Sequence, residues 1–248
     1  METKATLFRV MCYAVGVVLT ALVVLFFTFT IIPSAYKSFG FNRSGEIATQ
    51  AGKVVMDKAL IAKACDRHEK ACIDNVLLVS GDLDGGTISA IKQLIADVGV
   101  DTVCFNSRGG DKSTAIDIGK FIKRNKLNTC MAEKYLTAKG DTITQRLCAS
   151  ACPFVLAMGR KRTALGNDLR IGIHSSGTNL DFGLFMLRVN ALDFVALHGY
   201  EAMLKQSNVV GSRAHVKMLH DSLSTPFDGM RFLSTDEQKQ YALFTDNH

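Results

Sequence analysis

The chain has 248 residues, 48% of them apolar and 21% charged, with a formal net charge of +6. That apolar share is ample for a packed core and excludes a wholly disordered chain. The positive charge is scattered, and its densest cluster, Arg160-Lys161-Arg162, lacks the interleaved aromatics of a nucleic-acid surface; it is predicted as a solvated turn, and no nucleic-acid partner is expected.

Residues 1–9 form a short N-terminal tail. From Val10 to Ile32 no charged residue occurs, and Val, Leu, Phe, Ile and Ala dominate. At 1.5 Å per residue the run covers about 35 Å, against roughly 30 Å of bilayer hydrocarbon. A cleaved signal sequence has a shorter apolar core and a small-x-small cleavage site. The nearest candidate, Pro33-Ser34-Ala35, has proline where a small residue is wanted. Residues 10–32 are therefore expected to be an uncleaved, single-pass transmembrane anchor. Lys4 and Arg9 before the span balance Lys37 and Arg43 after it, so basic residues do not orient it.

Cysteine usage does orient it. Cys12 lies in the span, while Cys65, Cys72, Cys104, Cys130, Cys148 and Cys152 lie beyond it. An even number, four of them in close pairs, is more expected in an oxidising compartment, which places the soluble part in the periplasm or elsewhere outside the cytoplasm. The pairing is not fixed by sequence. A helix over Asp66–Ala71 would hold Cys65 and Cys72 about 10 Å apart, so a bridge there predicts a loop. Cys65, His68 and Cys72 suggest zinc, but a fourth nearby ligand is missing and no metal is expected.

Residues 33–64 read as a juxtamembrane linker with a helix over Glu46–Lys63, and residues 65–248 as one α/β domain. Val76-Leu77-Leu78-Val79 is a buried strand, followed by Gly81-Asp82-Leu83-Asp84-Gly85-Gly86. That turn lacks both the G-x-G-x-x-G arrangement and a P-loop lysine, so it is read as a turn with a helix cap. Ile88, Ile91, Leu94 and Ile95 recur at helical spacing. Thr102–Phe105 is a second strand, a helix carries Ile116, Ile118, Phe121 and Ile122, and Asn128–Ala132 is a third strand. Such alternation predicts a largely parallel sheet with flanking helices. A long helix is expected from Leu184 to Leu204. His198, His215 and His220 are expected to be surface or core residues rather than catalytic ones.

Two places carry chemistry. Asn106-Ser107-Arg108-Gly109-Gly110 ends a strand with consecutive glycines, whose N–H groups can converge on a ligand carbonyl, or simply make a turn. Cys148-Ala149-Ser150-Ala151-Cys152 puts a serine between alanines at the start of a helix, its hydroxyl unobstructed. His174, at the tip of the strand-like Leu169–Ile173, could serve Ser150 as a general base.

This order of features resembles the Clp protease proteolytic subunit and the wider crotonase-like superfamily. The likeness extends to Arg231-Phe232-Leu233-Ser234, which opens a helix closing near Tyr241-Ala242-Leu243. It spans about residues 74–244 and is strongest toward membrane-anchored or periplasmic bacterial members, whose serine sits between cysteines. The resemblance implies Ser150 as nucleophile, His174 as base, and backbone N–H groups of Gly109 or Gly110 and of Ala151 as the oxyanion hole. The chain departs from the pattern at the third member, because the position of the family aspartate falls on Pro226. Asp228 is the first choice for the triad acid and Asp221 the second; Asp228 could equally cap the terminal helix. A serine–lysine dyad is disfavoured, since no lysine lies between Lys161 and Lys205.

Cys148 and Cys152 are read as small buried residues, as a disulfide that holds the nucleophile turn, or as partners of Cys130. The family also implies self-assembly into a homo-oligomer. The reading is thus a membrane-anchored serine peptidase taking a peptide or protein substrate, without a cofactor. The alternatives are an inactive binding or scaffold module and a coenzyme A-dependent crotonase-type enzyme.

Overall fold

The computed structural model describes residues 18–20, 59–175, 178–181, 186–189, 194–207 and 211–247. The chain divides into two compact units, Met1–Gly52 and Lys53–His248. Of the first, only 18–20 are described; they are helical, with Val18 and Leu19 exposed. The expected span over 10–32 otherwise lies outside the described residues. Among those residues, no helix is long and apolar enough to cross a membrane.

The second unit is built on an eleven-stranded sheet. Its centre is β2 (Cys72–Leu83) and β3 (Thr102–Gly110), which run parallel, with Leu77–Leu83 beside Val103–Gly110. The apolar run at the heart of β2 is buried on both faces. Leu77 and Val79 enter one core, and Val76 and Leu78 enter a second. A strand covered on both sides must be apolar throughout, and these residues are.

At β3 the sheet forks. The start of β3 pairs with β4 (Asn128–Ala132), which leads through β8 (Arg162–Leu165) to β13 (Asp246–Asn247). Its end pairs instead with β7 (Leu147–Ala149), then with β9 (Arg170–Ile173), all parallel. The margins are antiparallel: β1 (Ala59–Cys65), β5 (Lys134–Thr137) and β6 (Thr142–Ile143) on one side, β12 (Arg231–Phe232) on the other. The expected parallel sheet is therefore its central part. The fork sends β7 and β9, which carry the candidate nucleophile and base, away from the β4 branch.

Helices follow where the caps demand. Asp84 caps α1 (Gly85–Val98) in a capping box with Thr87, and Gly99 ends it in a left-handed conformation. The glycine turn after β2 is thus a cap, as read from sequence. Asp111 caps α2 (Lys112–Arg124), accepting from the Thr114 N–H at 2.8 Å. The short α3 (Cys152–Leu156) follows β7. Farther on come α4 (Phe194–Lys205), α5 (Ser212–Ser222) and α6 (Thr235–Gln240), the last opened by a Ser234–Glu237 capping box.

Three local expectations are corrected. The helix over Glu46–Lys63 is not formed at 59–63, which belong to β1; residues 46–58 lie outside the described residues. The α/β unit consequently begins before residue 65. Alanines in Ala59–Cys65 suit a helix locally, but pairing with β2 and β5 decides otherwise. The helix over Leu184–Leu204 is replaced at its start by a hairpin of β10 (Thr178–Asp181) and β11 (Met186–Val189), and α4 begins only at Phe194. Arg162 is not in a solvated turn. It is buried and donates to the carbonyls of Leu243, Gly159 and Ala242 at 3.0–3.1 Å.

The six cysteines of this unit form three bridges. Cys65–Cys72 closes the β1–β2 turn, which is a loop as a bridge requires, and both thiols proposed for zinc are consumed. Cys104–Cys130 joins residues directly opposite in β3 and β4, and Cys148–Cys152 flanks Ser150.

His215, fully buried in α5, has Nδ1 2.8 Å from Ser207 Oγ and Nε2 3.1 Å from the Ala242 carbonyl oxygen. A carbonyl only accepts, so Nε2 carries the proton and Nδ1 accepts. Burial, opposed by the Ala242 carbonyl and aided by the Arg162 charge, pushes the pKa from 6.5 down to about 4. The unfolded chain therefore binds the proton first as pH falls. Stability present above pH 6.5 is expected to fall by about 3 kcal/mol as pH drops toward 4. Urea unfolding across that window measures it, and His215→Gln should flatten the slope. A wild-type curve already flat there would show that His215 is not held neutral.

Candidate active site

β7 stops at Ala149, and the next residue, Ser150, turns the chain with φ +60°. A left-handed conformation at a residue with a Cβ costs about 1–3 kcal/mol, so its surroundings must hold it there. Three features do so. The Ser150 N–H donates to the Gly172 carbonyl in β9 at 2.9 Å. The Cys148–Cys152 bridge closes a five-residue ring with its Cα atoms 5.2 Å apart; by chain entropy such a ring contributes about 2 kcal/mol, the same order as the strain. The third is Gly109. With φ +93°, a Cβ there would stand 2.6 Å from Ser150 Cβ and 2.8 Å from Ala151 N. The strand end therefore lies flush against the serine turn only because residue 109 is glycine.

The two glycines have different roles. The Gly109 N–H donates to Ser107 Oγ at 3.1 Å, and that hydroxyl donates to the Gly81 carbonyl at 2.6 Å. Gly109 is thus occupied, which corrects its assignment as an oxyanion donor. The Asp111 N–H donates to Leu83 in β2 at 2.8 Å. Gly110, Ser150, Ala151 and His174 line one cleft of about 140 Å³.

His174 follows β9 directly. The closing segment folds back on that strand, with β12 paired to Gly172 and Ile173 and the Ser175 N–H bonded to Thr225 O at 2.8 Å. The Phe227 ring centroid lies 5.9 Å from the imidazole. Burial lowers the His174 pKa below 6.5, opposed in part by backbone at Ser175 and Phe227. The ring is thus neutral near pH 7, as a general base must be.

Among the described residues, no acid completes the group. Nδ1 of His174 is buried and has no hydrogen-bond partner among them, so neither Asp228 nor Asp221 is bonded there. Asp228 is exposed and outside the cleft. Asp221 accepts from Tyr241 Oη at 2.6 Å and pairs with Lys217; these two partners hold its carboxyl below the ordinary range. The turn holding Pro226 keeps Asp228 at the surface, and α5 points Asp221 toward the terminal helix. Nor does Asp228 cap that helix; Ser234 does.

Sequence reasoning missed the far wall of the cleft. Phe154, Tyr200, Leu219 and Phe227 make it largely apolar, and the Tyr200 ring packs tilted against Phe154 with centroids 5.2 Å apart. The Tyr200 hydroxyl is buried without a hydrogen-bond partner among the described residues, and burial raises its pKa. The apolar faces of α4 and α5 were the available signal, but their contact with Ser150 is set by long-range packing.

No protein-family model and no curated protein sequence matches the chain. Among solved structures it is similar to a serine-to-alanine mutant of the 1510-N membrane-bound stomatin-specific protease. The TM-score is 0.46 and the identity 10%, covering 69% of this chain and 77% of that one. The chemistry of the cleft therefore stands on its own residues.

A Gly109→Ala substitution drives a Cβ into Ser150 and Ala151. It is expected to cut labelling of Ser150 by a fluorophosphonate at least a hundredfold and to destabilise the fold by more than about 1 kcal/mol. Gly140, with φ +88° and open space where a Cβ would stand, is the control. Gly140→Ala carries the same backbone strain and should label normally. Equal labelling of the two variants would dissociate Gly109 from the serine turn.

Proposed function

We propose that the chain is a membrane-anchored serine hydrolase, a peptidase of Clp-protease-like fold acting through Ser150 and His174. The observation that carries this reading is the strained serine turn, which opens onto the same cleft as His174, Gly110 and Ala151. Strain of this kind is maintained at sites where a side chain must be presented in one direction.

In this mechanism His174 takes the Ser150 hydroxyl proton as Oγ attacks the scissile carbonyl carbon. The carbonyl electron pair moves onto oxygen, which the N–H groups of Gly110 and Ala151 receive. Collapse of the tetrahedral species breaks the C–N bond, and the imidazolium gives its proton to the departing amine. Water, deprotonated by the same imidazole, then cleaves the acyl-serine ester. The apolar far wall suits an apolar side chain of a peptide or protein substrate.

Residues 10–32 supply the anchor in this reading, and the three disulfides, which use every cysteine beyond the span, favour an oxidising compartment for the domain. Homo-oligomerisation belongs to the same proposal through the Clp resemblance.

One observation favours a second reading, a catalytically silent binding module. With no described residue bonded to Nδ1, an imidazolium formed in the buried site has no counter-charge among the described residues, and loss of the acid from such a group costs about 10⁴ in turnover.

Fluorophosphonate labelling and ester or peptide hydrolysis decide between them. Labelling of the wild type, lost in Ser150→Ala and in His174→Ala with non-multiplicative effects on hydrolysis, is the expected result. Because burial lowers the His174 pKa and the base acts when neutral, the acid limb of kcat/KM should have its midpoint below pH 6.5. An unlabelled wild type would overturn the hydrolase reading and favour the silent module or the crotonase-type enzyme.

A further inference from the structure

We propose that the Cys148–Cys152 disulfide is a positioning element of the nucleophile, holding Ser150 in its left-handed turn. The inference rests on the hydrolase reading above and adds to it a device that sets the rate of the chemical step.

The three bridges differ in what they join. Cys65 and Cys72 stand opposite each other in β1 and β2, and Cys104 and Cys130 in β3 and β4, where ladder hydrogen bonds already fix the strands. Cys148 and Cys152 do not face each other across a ladder. They lie four residues apart, one within β7 and one at the start of α3, with Ser150 midway.

Four residues of extended chain would separate those Cα atoms by about 13 Å. The observed 5.2 Å requires the chain to double back between the two cysteines, and the residue midway, Ser150, turns it with φ +60°. The bridge ties the two ends of that turn together.

The neighbouring helix cannot do this alone. α3 has five residues, far below the length at which a helix sustains itself, and its N-cap, Ala151, makes no side-chain capping bond. The covalent ring therefore supplies a hold that the helix start does not. Both cysteines are fully buried within the main core, so the ring lies behind Ser150 and away from solvent.

The test compares two double variants of the full chain, Cys148→Ala/Cys152→Ala and Cys65→Ala/Cys72→Ala. The first is expected to lower kcat and the fluorophosphonate labelling rate at least tenfold, with KM within twofold of wild type. The second should lose comparable thermal stability and keep kcat. Unchanged kcat in the first variant, or equal losses in both, would overturn the proposal. Should the first variant fail to fold, graded reduction of the wild type by a phosphine replaces it. Labelling should then fall in step with the appearance of Cys148 and Cys152 thiols by mass spectrometry, and labelling that persists after their reduction refutes the role. A wild type that is never labelled would remove the hydrolase reading and this inference together, whereas a labelled wild type with an indifferent ring removes this inference alone.

Discussion

Everything at the cleft depends on one backbone constraint, the left-handed turn at Ser150. A residue with a Cβ does not stay at φ +60° without support, and three separate parts of the sequence converge to provide it. β9 offers the Gly172 carbonyl, β3 offers a glycine with no side chain to intrude, and the cysteine ring ties the ends of the turn together. The fork of the sheet at β3 makes the convergence possible. It lets β7 pair with β3 at Ser107, so that Gly110 and Ser150 line one cleft, while β4 takes the first residues and builds a separate wall.

The imidazole is held differently. Its position is fixed by the closing segment, which returns to β9 through β12 and brings Phe227 against the ring. Its buried Nδ1 has no acceptor among the described residues, and Asp228 and Asp221 are committed elsewhere, one to solvent and one to Lys217 and Tyr241. A neutral imidazole is a competent base, but the cation it becomes is left without an opposing charge. That weakness is where a working hydrolase and a silent relative of one would differ.

Much of this was legible in the sequence wherever local chemistry and long-range packing agree. Val76–Val79 and Asn128–Ala132 form strands because apolar runs bounded by turns have no better place than a buried sheet. Asp84 and Ser234 cap helices because their side chains reach the first free N–H groups. Ser150 and His174 were found by type and spacing, and they share a cleft. The failures fall where packing overrides local preference. Ala59–Cys65 has residues that suit a helix but is claimed by two neighbouring strands, and Met186–Val189 pairs in a hairpin despite apolar spacing that suits a helix. Arg162 reads as solvated beside two other basic residues, yet two carbonyls from the chain's closing segment and that of nearby Gly159 satisfy its guanidinium in the core. Asp228 was placed by counting along a loop, and no sequence rule gives the direction in which a loop side chain points.

The central claim is that the turn at Ser150 presents a nucleophile to a carbonyl held by Gly110 and Ala151. A crystal structure of the protein after reaction with a fluorophosphonate tests it most directly. The account predicts phosphorus bonded to Ser150 Oγ, Ser150 still left-handed, and the phosphonyl oxygen about 2.7–3.1 Å from the N–H nitrogens of both Gly110 and Ala151. An adduct whose phosphonyl oxygen turns toward solvent, or the absence of any adduct at Ser150, would contradict it.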